Sequence, residues 1–204
     1  MARKFDLHIH TSRHSPDSQL DPFVLVKRAQ EIGLEGIVIT EHDWLWTDEE
    51  LNELRAAAPE LVLLAGIEVS AQAGHILVYG IHDPFAFPKE ISWADCCYEA
   101  HRQGGAAVAA HPFRWNQPFE KVLERQQPEL DGLELMTFNM DANMREKAAT
   151  VKLQRGLAGL GSSDAHKAET VGWCYTEFEP DIRTGADLAE AIRNRRCVAK
   201  ARQA

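Results

Sequence analysis

Short apolar runs alternate along the chain with stretches whose apolar positions recur every three or four residues. The runs predict buried β-strands, and the periodic stretches predict amphipathic helices. The predicted strands are Phe5–His10, Gly36–Thr40, Leu61–Val69, Ile76–Ile81, Ala106–Ala110, Gly132–Thr137, Leu157–Gly161, Cys174–Glu177 and Cys197–Ala201. The predicted helices are Asp21–Ile32, Thr47–Ala57, Trp93–Gln103, Phe119–Gln126, Asp141–Gln154 and Ala186–Arg195.

The alternation of strands and helices indicates an α/β fold with parallel strands joined by right-handed crossovers. Near-continuous apolar strands such as Leu61–Ile67 indicate that helices cover both faces of the sheet. A β/α barrel or a distorted version of one is the leading prediction, and a doubly wound open sheet is the alternative. Polar residues cluster at or just past the ends of successive strands. This favours the barrel, because barrel enzymes build their sites on that rim.

Size and composition indicate one domain over residues 1–204, because 45% of the 204 residues are hydrophobic and can fill one core. No apolar run approaches the roughly 20 residues that cross a bilayer. The first residues lead straight into a strand rather than into a signal peptide. Four cysteines show neither a disulfide framework nor a metal-binding pair. We therefore expect a cytoplasmic protein with reduced thiols and no membrane partner.

The formal net charge of −9 argues against a surface for extended nucleic acid, which would need clustered Lys and Arg. It does not exclude a small anionic substrate. Bound divalent cations would outweigh the carboxylates that hold them, so an acidic protein can still attract phosphate.

Two pairs of polar residues have the spacing of metal chelators. His8 and His10 are two residues apart in a predicted strand, so both side chains point to one face and can reach one ion. Asp164 and His166 repeat this spacing near the end of the chain. Solvated histidines at a strand end are the alternative, but two such pairs together favour a metal site.

Three further residues directly follow or end apolar strands. His42 follows Gly36–Thr40 closely, and imidazole is a common divalent-metal ligand. Glu68 ends a run of small and apolar residues, where a carboxylate is costly to bury unless a cation pairs with it. We expect Glu68 to bridge two ions, with a helix-capping or surface role as the alternative. His111 closes Ala106–Ala110, and the proline after it favours extended geometry.

Other polar residues carry weaker signals. Asp17 follows a proline and could be a simple turn residue, and His75 stands at the start of a predicted strand rather than at its end. Glu41 or Asp43 could cap a turn, but we expect one of them to orient a ligand histidine. Three histidines are predicted to lie outside the site: His14, His82 and His101.

With these residues in view, the chain resembles the PHP (polymerase and histidinol phosphatase) superfamily from Asp6 to about Thr176. The resemblance rests on six motifs: His8-Ile-His10-Thr11 with Ser15-Pro-Asp17-Ser18, Thr40-Glu-His42-Asp43, Gly66-Ile-Glu68, His75 to Gly80, His111-Pro112 and Ser163-Asp164-Ala165-His166.

The resemblance implies a distorted (β/α)7 TIM-like barrel with two or three divalent ions, of which zinc, manganese and iron all suit the ligand set. It also implies how nine side chains share the ions. The first ion would take His8, His10, Glu68 and Asp164, the second Glu68, His75 and His111, and the third Asp17, His42 and His166.

The resemblance further implies a phosphoesterase, and one that stands alone, because the chain ends soon after the last motif. We expect a metal-bound hydroxide to hydrolyse a small phosphomonoester such as a nucleotide, a sugar phosphate or a compound like histidinol phosphate. Glu68 and Asp164 would be catalytic, and Arg114 or Lys167 could hold a phosphate oxygen. Two alternatives stay open: a non-catalytic metal-stabilised regulatory or scaffold domain, and a metal-dependent hydrolase of an amide or lactone.

Overall fold

The computed structural model describes residues 2–116, 119–126, 129–179 and 181–202. Its strands are β1 (Arg3–Asp6), β2 (Gly36–His42), β3 (Val62–Ala71), β4 (Gly74–Tyr79), β5 (Ala106–Ala109), β6 (Gly132–Met136), β7 (Ala158–Gly161), β8 (Cys174–Phe178) and β9 (Cys197–Ala201). Its helices are α1 (Pro22–Glu31), α2 (Asp48–Ala57), α3 (Trp93–Arg102), α4 (Phe119–Gln126), α5 (Ala142–Arg155) and α6 (Gly185–Arg193). Each predicted strand and helix is therefore present.

All nine strands form one sheet in the order β7-β6-β5-β4-β3-β2-β1-β8-β9. Four neighbouring pairs are parallel, as the alternation predicts, but β4 runs antiparallel to both β3 and β5, and β8 runs antiparallel to both β1 and β9. The prediction of parallel pairing is therefore wrong for these strands. For β4 the reason is local. Only residues 72–73 separate it from β3, which allows a hairpin but not a crossover.

The sheet curves until its two ends approach each other. The Gly161 amide at the end of β7 donates to the Thr176 hydroxyl of β8 at 3.0 Å, and that hydroxyl donates back to the Gly161 carbonyl at 2.8 Å. A Cβ on Gly161 would lie 2.7 Å from the Tyr175 carbonyl oxygen, so only glycine permits this approach. The result is a nearly closed, distorted β/α barrel, which confirms the predicted fold, with nine strands among the described residues rather than seven.

Helix α6 covers one end of the barrel. Its Leu188 and Ile192 are fully buried in the same apolar cluster as Phe5 of β1. Gly80, at the carboxyl end of β4, lies so close to α6 that a Cβ there would be 2.7 Å from the Gly185 carbonyl oxygen. Because β4 runs against its neighbours, this contact lies opposite the carboxyl ends of the parallel strands. The other rim is left for a site.

Local features of the helices follow from their sequences. Helix α2 begins with a capping box, in which the Thr47 hydroxyl accepts from the Glu50 amide and the Glu50 carboxylate accepts from the Thr47 amide. Cys96 and Cys97 are buried on α3 as small apolar residues. Among the described residues, no helix has both the length and the apolar character that a bilayer crossing requires.

Candidate metal centre

The structure gathers all nine candidate ligands at one rim of the barrel. His8 and His10 follow β1, where Ile9 forms a parallel bridge with Ala165 and so draws the first and last motifs together. The others lie at or beyond the rim ends of strands, or in the first loop: Asp17, His42, Glu68, His75, His111, Asp164 and His166.

His75 is explained by the reversed direction of β4. The sequence places it at the start of a strand, which seemed the wrong end for a rim residue. Because β4 is antiparallel to β3, with His75 opposite Ser70, the start of β4 lies beside the carboxyl end of β3. His75 therefore faces the same space as Glu68.

Four donor atoms converge on one buried point. His8 Nε2 lies 3.0 Å from His10 Nε2, and these nitrogens lie 3.4 and 3.2 Å from Glu68 Oε2. Both nitrogens also lie 3.5 Å from Asp164 Oδ1. A tetrahedral shell with metal–ligand distances of about 2.0–2.2 Å has donor–donor edges of roughly 3.3–3.6 Å. The spacing of these atoms therefore fits a single divalent cation.

A second group shares the other oxygen of Glu68. Oε1 lies 2.8 Å from His75 Nδ1 and 3.0 Å from His111 Nε2. Since Oε2 faces His8 and His10, the Glu68 carboxylate spans both groups, as expected for a bridging residue.

A third group lies nearer to solvent. Asp17 Oδ2 lies 3.3 Å from His42 Nε2 and 3.3 Å from His166 Nε2. His42 also reaches inward, because its Nδ1 lies 3.0 Å from Glu68 Oε2. The groups overlap, because the donor atoms of His10, His42 and His166 lie within 4.8 Å of one another, as do those of His42, Glu68 and His75. The division of the nine side chains among three ions stays a prediction.

Two buried atoms of this cluster are left unsatisfied. Within the described parts of the chain, Glu68 Oε2 and His111 Nδ1 are buried without a hydrogen bond of acceptable geometry. The histidine nitrogens around Glu68 Oε2 are close but not aligned to donate to it. A bare carboxylate oxygen costs free energy in such a place, and a cation would remove that cost. The donor set therefore fits divalent metal ions.

The electrostatics of the cluster favour bound positive charge. Burial opposes a charge on His8 and His10, but the facing carboxylates outweigh it, raising the pKa of His8 well above 6.5 and that of His10 to about 9. Burial would by itself raise the pKa of Glu68, but the facing histidines, His8 foremost, hold it well below its ordinary value. The same balance lowers the pKa of Asp164. The carboxylates therefore stay ionised in a space that water barely reaches.

Several rim residues have backbone angles that side chains other than glycine rarely adopt. The φ angles of His111, Phe113, Trp115 and Asp164 are 25°, 71°, 55° and 52°. Such conformations cost free energy and persist where surrounding contacts impose them, which is common at functional sites. Two of the four residues are candidate ligands.

A cavity of about 150 Å³ opens onto the cluster, and Arg114 and Trp115 line it together with seven of the candidate ligands. Arg114 Nη1 lies 3.0 Å from Asp164 Oδ2, and its guanidinium carbon lies 4.1 Å from the centre of the Trp115 ring. Asn139 Nδ2 donates to the same Asp164 oxygen at 2.8 Å. Asn139 and Trp115 were not predicted, because an isolated Asn or Trp in a loop carries no spacing signal.

Two histidines predicted to lie outside the site have partners elsewhere, and one candidate phosphate-binding residue lies apart from the cluster. His14 Nε2 lies 2.6 Å from Glu50 Oε1, and His101 Nε2 lies 2.9 Å from Asp131 Oδ2. Lys167, the second candidate for phosphate, is exposed and lines a separate surface cavity with Gln19 and Asp21.

Comparison with known protein families decides where the chain belongs. The PHP domain model matches residues 6–158, and the PHP-associated model matches residues 143–197. The chain belongs to the PHP domain family. The resemblance inferred from the motifs is therefore confirmed.

Individual relatives of this PHP domain differ in length and description. An uncharacterised protein of Methanocaldococcus jannaschii is 29% identical over 143 residues, which are 65% of this chain and 80% of that protein. A two-domain protein of Bacteroides vulgatus containing a predicted PHP-like metal-dependent phosphoesterase has a TM-score of 0.76 at 23% identity, covering 98% of this chain and 65% of that one. The lesion-specific endonuclease PfuEndoQ of Pyrococcus furiosus has a TM-score of 0.68 at 18% identity, covering 95% of this chain and 56% of that one.

At these identities the two structures establish the fold alone. The present chain spans less than two thirds of the length of either of these two proteins. Family membership and the donor cluster together identify a PHP domain whose side chains are arranged to hold divalent metal ions.

Proposed function

We propose that this PHP domain is a phosphoesterase that hydrolyses a small phosphomonoester with two or three divalent ions. The observation that carries the proposal is the convergence of His8, His10, Glu68 and Asp164 beside the guanidinium of Arg114. The four donors fit a cation, and the guanidinium fits an anion.

Nine side chains would hold the ions: His8, His10, Asp17, His42, Glu68, His75, His111, Asp164 and His166. Mixed nitrogen and carboxylate shells accept zinc, manganese or iron. Bound there, the ions supply Lewis acidity, which lowers the pKa of water and neutralises charge on phosphoryl oxygens. Glu68 offers one oxygen to each of two neighbouring groups, so it would take part in holding an ion in either group.

Arg114 supports an anionic substrate. A guanidinium cannot bind a metal ion, and it is repelled by one unless an anion lies between them. Arg114 lines the cavity and contacts Asp164 through one nitrogen, so its remaining N–H groups can donate to phosphoryl oxygens. The planar guanidinium group of Arg114 orients the phosphoryl group, while the hydrogen bond to Asp164 holds the guanidinium in place.

The size of the cavity supports a terminal phosphoryl group. Its volume of about 150 Å³ is well below the roughly 300 Å³ at which pockets begin to enclose a whole small molecule. Only the reacting group would enter, and the rest of the substrate would lie on the rim, where Trp115 is more than half exposed. A monoester presents its phosphorus in this way more readily than an internal diester does.

A substrate panel on metal-reconstituted protein tests the proposal. We expect chelator-sensitive hydrolysis of p-nitrophenyl phosphate, sugar phosphates or nucleoside monophosphates, with Glu68→Gln as the inactive control. Activity confined to cyclic amides or lactones would contradict the phosphoester and favour the carbonyl alternative. Activity confined to bis-p-nitrophenyl phosphate or oligonucleotides would contradict the monoester. Full metal occupancy with no hydrolysis of any substrate would favour the non-catalytic scaffold.

A further inference from the structure

We propose that Glu134 is a positioning residue that keeps the proton of His8 on Nδ1 and so turns Nε2 toward the metal ion. The proposal rests on the metal-binding part of the proposed function, and not on the choice of substrate. Glu134 lies in the middle of β6, is fully buried, and was not predicted from the sequence.

Three donors converge on the Glu134 carboxylate. Oε1 accepts hydrogen bonds from His8 Nδ1, at 3.1 Å, and from the hydroxyl of Ser162. Oε2 accepts a hydrogen bond from the backbone amide of His111 at 2.6 Å. One carboxylate therefore joins the ends of β1, β5 and β7 at the rim. It also anchors the His111 backbone, whose φ of 25° is strained.

The contact fixes which nitrogen of His8 is free. An ionised carboxylate only accepts hydrogen bonds, so His8 Nδ1 must carry the proton that it donates to Glu134. In the neutral imidazole that binds a metal ion, His8 Nε2 then carries the lone pair, 3.4 Å from Glu68 Oε2 and 3.5 Å from Asp164 Oδ1. Carboxylates that orient metal-bound histidines in this way also raise their basicity.

A similar arrangement holds His10, whose Nδ1 is linked to a buried carboxylate through the hydroxyl of Ser15. Ser15 donates its only hydroxyl proton to Glu41 at 2.5 Å, so its lone pair accepts from His10 Nδ1 at 3.2 Å. The recurrence supports the assignment, since both histidines of the pair have Nδ1 engaged and Nε2 directed to the same point. The prediction that Glu41 or Asp43 orients a ligand histidine left the choice open, and the contact through Ser15 favours Glu41.

Glu134→Gln should move the proton of His8 from Nδ1 to Nε2 without changing the size of the side chain at position 134. The His111 amide can only donate, so the new carboxamide oxygen must take the position of Oε2. Its NH₂ group then faces His8 and Ser162. Ser162 can rotate to accept, but His8 can accept only by moving its proton to Nε2, where the proton competes with the cation.

The experiment compares wild type, Glu134→Gln and the matched control Ser162→Ala, which removes another donor to the same Oε1. Zinc affinity is measured by competition with a chelator, and the protonated ring nitrogen of His8 is identified by ¹⁵N NMR of the zinc-loaded proteins. We expect zinc affinity to fall about 10- to 100-fold in Glu134→Gln and to stay within about threefold of wild type in Ser162→Ala. Thermal melting of the metal-free proteins checks that each variant folds.

Wild-type zinc affinity in a folded Glu134→Gln protein would overturn the proposal. So would an NMR spectrum of wild type in which His8 carries its proton on Nε2, a result that does not depend on any variant folding. Neither readout requires turnover. If the substrate panel shows no hydrolysis while these results hold, the proposed function fails and the role of Glu134 stands.

Discussion

Asp17 Oδ2 lies 3.3 Å from His42 Nε2, although 25 residues separate the two in the chain. The carboxylate of Asp17 is more than half exposed, so its removal should not disturb the core. We predict that Asp17→Ala lowers the bound metal by about one equivalent and leaves the metal held by His8, His10 and Asp164 in place.

Elemental analysis of the purified, metal-loaded variant measures this change. Glu169→Ala, which removes an exposed carboxylate three residues after His166, is the matched control and should bind as much metal as wild type. An unchanged metal content in Asp17→Ala would mean that Asp17 holds no ion.

Metal removal should lower the thermal stability of the protein. A ligand that binds only the folded state at 100 times its dissociation constant stabilises by about 2.7 kcal/mol. For a chain of this size that corresponds to a rise in melting temperature of roughly 5–10 °C. We expect this rise on adding zinc or manganese to metal-free protein, and its loss in Glu68→Gln. Equal melting temperatures with and without metal in wild type would contradict tight binding at the cluster.

Arg114 should act on the substrate rather than on the metal. Arg114→Ala removes a guanidinium that points into the cavity, and loss of one such donor reduces turnover by about 100-fold or more. Metal content should stay at the wild-type value. Lys167→Ala, which removes an exposed cation near His166, should leave the kinetics unchanged. Unaltered kcat and KM in Arg114→Ala would remove Arg114 from the site.

The contact between Glu50 and His14 predicts a pH-dependent contribution to stability. Burial tends to raise the pKa of Glu50, but its hydrogen bonds to Thr47 and His14 outweigh this and hold it below the ordinary 4.5. A carboxyl whose pKa is lowered by folding stabilises above its unfolded pKa, and this is lost as the pH falls through the folded value.

Glu50→Ala should therefore lower the free energy of unfolding by about 1 kcal/mol at pH 7, the usual size of a helix cap. The difference from wild type should narrow as the pH falls below 4.5. Urea unfolding across this range measures it. Glu49→Ala, a change at the neighbouring acidic residue of α2, is the control for helix charge. A cost that is the same at pH 7 and at pH 4 would rule out the ionised Glu50 as its source.

Residue spacing could predict which side chains meet only where strand direction was known. His8, His42 and His111 lie at the predicted rim because each ends or follows a strand of the expected parallel direction. His75 and Asp17 needed the family motifs, since the reversal of β4 and the path of the first loop are set by tertiary packing. The extent of the domain over residues 1–204 and the cytoplasmic location stay predictions.

Glu134 shows what spacing misses. A charged residue inside the apolar run Gly132–Met136 is itself a signal, because a buried carboxylate needs donors. Which donors it finds depends on His8, His111 and Ser162, which come from three other parts of the chain. The sequence predicts that a buried Glu134 has hydrogen-bond donors, but it does not predict which residues these donors are.

The bridge between Ile9 and Ala165 has a consequence for how the protein is made. During synthesis His8 and His10 leave the ribosome long before Asp164 and His166 have been added to the chain. The complete set of ligands therefore cannot form until the last motif has been made. Metal capture by the full cluster therefore requires that the chain has been made at least as far as His166. A chain that ends before Asp164 would have only part of the ligand set and would bind a divalent cation weakly.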